Sequence, residues 1–93
     1  AAEQGLQDAQ NNLGLMYYHG HGVKQDYFKA KELFEKAAAQ GYVNAQYNLA
    51  IMYLNGKGVK QDKRVAKSWY GKACDNRDQE SCDYYKKLNQ KGY

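Results

Sequence analysis

Gly20-His21-Gly22-Val23-Lys24-Gln25-Asp26 and Gly56-Lys57-Gly58-Val59-Lys60-Gln61-Asp62 are one segment written twice, 36 residues apart. A glycine just past a helix end takes the positive φ that other residues resist. An aspartate a few residues on supplies a carboxylate for the free N–H groups of the next helix. The segment therefore reads as a turn between two helices. Before it, Ala9, Asn12, Leu13, Met16 and Tyr17 return as Ala45, Asn48, Leu49, Met52 and Tyr53. Ala9, Leu13, Met16 and Tyr17 share one face at 3.6 residues per turn, the expected buried stripe of a first helix. After it, Ala30, Leu33, Phe34 and Ala37 form the buried stripe of a second helix, matched by Ala66, Trp69, Tyr70 and Ala73. Twenty of the first 37 positions meet an identical residue 36 further on. A fixed period of this size marks an all-α superhelix (solenoid) of helix-turn-helix repeats, each burying its apolar face against its neighbours.

The 93 residues hold about two and a half such units. The spacing predicts helices over about 6–18, 27–39, 43–54, 63–75 and 79–90. Residues 6–41 and 42–77 are the two units. Ala1-Ala2-Glu3-Gln4-Gly5 matches residues 37–41 at all but the third position and reads as the end of a preceding unit. Residues 78–93 read as a capping helix, in which Asp83, Lys86 and Lys87 replace much of the apolar face and Tyr84, Tyr85 and Leu88 remain. Asn12 and Asn48 recur at one helical position, where bonding to a neighbouring turn or repeat is the expected role.

No window is apolar enough to span a bilayer. The formal charge of +4 is uneven: residues 1–56 carry four Lys and five acids, residues 57–93 ten Lys or Arg and five acids. The acids interleave with the lysines and no stacking aromatics alternate with them, so a solvated face is expected and no nucleic acid. A basic nucleic-acid-binding surface ranks as the least favoured alternative. His19 and His21 invite a metal, but the second turn carries Asn55 and Lys57 instead, so no metal is expected. Ser68 and Ser81 have no histidine nearby, and no phosphate-cradling glycine loop is present, which leaves no catalytic residue and no cofactor site.

The unit Ala-Gln-x-Asn-Leu-Gly-x-Met-Tyr-x-x-Gly-x-Gly-Val-x-x-Asp, followed by Lys-Ala, an aromatic residue and Lys-Ala-Ala, resembles the Sel1-like repeat, a relative of the tetratricopeptide repeat. The resemblance implies a non-catalytic scaffold that presents a concave groove, lined by the first helix of each repeat, to a protein or peptide partner. Asn11, Leu15 and Tyr18, then Tyr47, Ile51 and Leu54, lie one position from the core stripe and are the groove candidates. Their competing role is simple packing between neighbouring first helices.

Lys72-Ala73-Cys74-Asp75 and Cys82-Asp83 are also similar to the cysteine-rich subgroup of these proteins, which is secreted or periplasmic. That likeness implies a Cys74–Cys82 disulfide, and it brings a β-lactam-binding or weakly hydrolysing protein as the alternative function. Ala38 and Gln46 stand where the subgroup would carry its earlier cysteines. The two cysteines fall in the last turn of one helix and the first turn of the next, within reach of each other across a short loop. Two buried free thiols are the other possibility.

Overall fold

A computed structural model describes the backbone of residues 2–93 and the side chains of residues 6–93. The chain forms α1 (Ala2–His19), α2 (Tyr27–Ala39), α3 (Val43–Asn55), α4 (Lys63–Asp75) and α5 (Gln79–Gln90). Each helix packs on the next in sequence, giving a slab of 38 × 30 × 17 Å.

The recurrent turn is built the same way both times. Gly20, Gly22, Gly56 and Gly58 all have φ between 69° and 77°. The Asp26 N–H donates to the Tyr17 carbonyl and the Asp62 N–H to the Tyr53 carbonyl, each at 2.9 Å. The Asp26 carboxylate then accepts from the Lys29 N–H, and that of Asp62 from the N–H groups of Arg64 and Val65. Gln25 and Gln61 recur for a reason the pattern alone does not disclose. Their Nε2 groups donate to the Tyr18 and Leu54 carbonyls at 3.0 and 2.8 Å. Those carbonyls belong to the last turn of a helix and have no partner within it.

The core has two parts. Ala30, Phe34, Ala37 and Ala38 of α2 meet Ala45, Leu49 and Met52 of α3. Ala50, Ala66, Tyr70 and Leu88 join α3, α4 and α5. The alanines let helix axes approach while Phe34 and Tyr70 fill the remaining volume.

Two expectations for the first helix need correction. It begins at Ala2 rather than near Leu6. Ala2, Glu3 and Gln4 are strong helix formers and carry the helix through Gly5, whose interior position costs about 1 kcal/mol. Ala1 and the side chains of residues 1–5 lie outside the described residues, so their reading as the end of an earlier unit is not met by any contact here. The expected stripe Ala9, Leu13 and Met16 is also open to solvent. Leu13 is 38% exposed and Met16 39%, whereas Leu49 and Met52 are at 0%. Helix α3 is packed between α2 and α4, whereas α1 packs extensively on α2 and meets α3 at few points, the Asn11–Asn48 bond among them.

The junctions between units differ in one chemical detail. Cys74 and Cys82 form a disulfide, with Cα atoms 4.6 Å apart. One repeat earlier the same two positions hold Ala38 and Gln46, and the Gln46 Nε2 donates to the Ala38 carbonyl at 3.3 Å. The Gln46 Oε1 accepts in turn from Asn76 Nδ2.

Candidate functional site

The odd-numbered helices meet along one side of the slab. There Leu15, Tyr18, Ile51, His19, Phe34 and Asn48 line a cavity of about 260 Å³ between α1 and α3. Phe34, from α2, reaches it because Gly14 stands where the ring passes under α1. A Cβ built on Gly14 would lie 2.7 Å from that ring.

Of the six residues expected in a groove, the cavity gathers Leu15, Tyr18 and Ile51. Asn11 is placed elsewhere: it is buried, and its Oδ1 accepts from Asn48 Nδ2 at 2.9 Å. Asn12, expected to share the role of Asn48, is exposed and takes no part in that bond. Tyr47 and Leu54 pack with Tyr84 against the second part of the core. The Tyr70 and Tyr84 rings stack at 4.8 Å and 16°, and Tyr47 meets Tyr70 edge-on at 5.8 Å.

Burial sets the acid–base character of this surface. It pushes the phenols of Tyr47 and Tyr70 well above the usual tyrosine range, with the nearby Glu80 carboxylate adding to both. The Tyr47 hydroxyl donates to Glu80 Oε1 at 2.9 Å. The Tyr70 hydroxyl is fully enclosed and has no hydrogen-bond partner among the described residues. Tyr18, at the cavity wall, is raised by burial and then by Tyr27, whose ring it meets at 5.2 Å.

His19, Phe34 and Asn48 are the cavity residues that sequence reading missed. Phe34 carried a core pattern and does sit in the core, fully buried, touching the cavity from beneath. The available signal was the 36-residue offset, which sets Asn48 against the much larger Tyr84.

Other candidates resolve into structural roles. Ser81 is buried, and its hydroxyl donates to Asp78, the cap of α5. Several lysines of the basic half lie over aromatic rings, among them Lys72 over Trp69 at 4.4 Å, Lys63 over Tyr93 and Lys67 over Tyr85. No cluster of potential metal ligands occurs among the described residues. None of the described helices is long and apolar enough to cross a membrane.

The family model of the Sel1 repeat matches residues 7–42 and 43–78. A search of curated proteins gave no match. Among solved structures, a Sel1 repeat protein from Oxalobacter formigenes is similar over 96% of this chain, at 32% identity and a TM-score of 0.91. The protein c5321, a protective antigen of uropathogenic Escherichia coli with an SLR fold, is similar over 99% of the chain, at 34% identity and a TM-score of 0.76. This chain spans 37% of the first protein's length and 24% of the second's.

Proposed function

This chain belongs to the Sel1 repeat family, whose fold generally serves as a protein-interaction scaffold, and from that premise we propose that it holds a peptide segment of a partner protein in the groove between α1 and α3. The observation that carries the reading is the cavity between α1 and α3, walled by Leu15, Tyr18 and Ile51. A concave, mostly apolar site with a few polar groups is the usual form of a recognition pocket. Aromatic and aliphatic anchors seated in such pockets carry most of the energy of protein association. The walls supply shape, one amide and an imidazole, and no nucleophile paired with a base, so the reading is binding without catalysis. The Cys74–Cys82 disulfide supports an oxidising compartment, periplasmic or extracellular.

Selection from a random peptide display library tests this, with Ile51→Glu beside the parent protein. Ile51 is half-buried on the groove wall and packs against the second part of the core, so far-UV circular dichroism establishes that both proteins are folded before their binding is compared. The expected result is a set of peptides that bind the parent and lose at least tenfold in affinity on the variant. Equal binding by two well-folded proteins refutes the groove.

A further inference from the structure

A second concave surface shares no residue with the cavity between α1 and α3. Three cavities of about 310, 310 and 370 Å³ adjoin along the seam between α4 and α5. The first two share Arg64 and Tyr93, and the last two share Ser68 and Tyr85. Together they form a trough that follows α4 from Arg64 to Asp75, about 16 Å at the helical rise. That is the span of roughly five residues of extended chain. The 36-residue offset shows how the charge of this face is made up. Tyr27, Phe28, Glu32 and Glu35 of α2 return as Lys63, Arg64, Ser68 and Gly71 of α4. Each of these four exchanges adds one positive charge. Among the α4 positions that line the trough, only the exchange of Ala39 for Asp75 runs the other way.

The cations are oriented by their surroundings. Lys63 Nζ lies 5.2 Å from the Tyr93 ring centre and Lys67 Nζ 5.3 Å from that of Tyr85. Lys67 also donates to Asn89 Oδ1 at 2.8 Å and to the Tyr93 main-chain oxygen at 2.6 Å. A ring holds an ammonium in place without removing its charge. Arg64 stands exposed where the first two cavities meet, and a guanidinium takes a carboxylate through two parallel hydrogen bonds. Asp62, at the same end, has its carboxylate turned to the N–H groups of Arg64 and Val65. We propose that the trough docks an extended acidic segment of a partner protein, with its carboxylates at the Lys63–Arg64–Lys67 end. This surface is additional to the groove and does not depend on it. At the other end Lys72 lies over Trp69 and shares its cavity with Asp75, which suits an uncharged residue. A nucleic acid is the less suited polyanion. Its bases need ring faces to stack on, and Tyr85 and Tyr93 each hold a lysine over the ring.

The test is a titration of the 15N-labelled protein at low ionic strength with N-acetyl-pentaglutamate amide, which its own charges keep extended. N-acetyl-pentaglutamine amide is the uncharged control. Saturable shifts of the Arg64, Lys67, Ser68, Gly71 and Tyr85 amides are expected with pentaglutamate, and none with pentaglutamine. Arg64→Glu should weaken pentaglutamate binding at least tenfold. Lys29→Glu makes the same change of net charge on α2 and should weaken it less than about twofold. Both side chains are exposed, so both variants should fold, which circular dichroism checks. Equal binding of the two peptides, no shift of these amides, or an equal loss in the two folded variants overturns the proposal. If Arg64→Glu does not fold, the two peptides on the parent protein decide alone. A six-nucleotide oligothymidylate carries five negative charges as well. Its tighter binding at the same amides would overturn the acidic segment in favour of a nucleic acid.

Discussion

Leu13 and Leu49 have the same residue type, the same place in the repeat and opposite surroundings, so truncating each to alanine separates position from packing. Leu49 is wholly buried between α2 and α4, whereas Leu13 is 38% exposed and lies outside both parts of the core. Leu49→Ala leaves a cavity that its neighbours close only in part, at a cost of about 2–5 kcal/mol. For a domain of this size each kcal/mol moves the melting temperature by roughly 4–8 °C. The loss is thus roughly 10–40 °C, a large share of a total stability of about 5–14 kcal/mol. Leu13→Ala removes a side chain that water already reaches and should cost about 1 kcal/mol or less. Urea unfolding followed by far-UV circular dichroism measures both, provided the dependence on denaturant is the same for the two variants. Losses within about 0.5 kcal/mol of each other would refute the reasoning, since they would mean that α1 is as well covered as α3.

Cys82→Ser should lower stability by roughly 2.5 kcal/mol, the loop-closure entropy of a short bridged segment; a melting temperature unchanged within 2 °C or so would contradict it. Tyr70→Phe removes a buried hydroxyl that has no partner, and Phe34 already fills the equivalent position, so stability should hold or rise by about 1 kcal/mol. A loss above about 0.5 kcal/mol in urea would show that the hydroxyl is satisfied after all. Raised phenol pKa values in the folded state mean that the fold favours the neutral forms of Tyr47 and Tyr70. Their contribution is complete below the unfolded value of about 10 and is lost as pH rises through the raised folded values. Stability should therefore fall above about pH 10, and less steeply in Tyr47→Phe/Tyr70→Phe. Ordinary titration of both phenols in the folded protein, seen by ultraviolet absorbance, would refute this.

Helices and turns were legible in the sequence because their determinants are local. Gly20, Asp26, Gly56 and Asp62 mark ends whatever lies around them, and α2, α4 and α5 begin and end where the pattern puts them. Burial was legible only where the repeat has neighbours on both flanks. The stripe Ala45, Leu49 and Met52 is buried, and its copy Ala9, Leu13 and Met16 is not, although the residues are identical. The groove was legible as a face and not as a shape. Helical phase picked out Leu15, Tyr18 and Ile51, but phase gives no side-chain size. It could not tell that Asn48 borders a cavity and bonds Asn11 while Tyr84, one repeat on, stacks on Tyr70. Asn11 illustrates the limit: it lies on the predicted face, and one hydrogen bond to Asn48 turns it inward.

The exchange of Gln46 and Ala38 for Cys82 and Cys74 gives the two junctions different sensitivities to their surroundings. An amide–carbonyl bond is indifferent to reductants, while a disulfide is held only where oxidation is favoured. A reducing environment would therefore loosen the stack from one end. α5, with its thin apolar face, packs mainly on α4 and touches α3 only around Tyr84 and Glu80, and would be the first to peel away. The α1–α3 region, joined through Gln46, would outlast it. Unravelling would thus have a direction, and the pocket between α1 and α3 lies away from the helix that goes first.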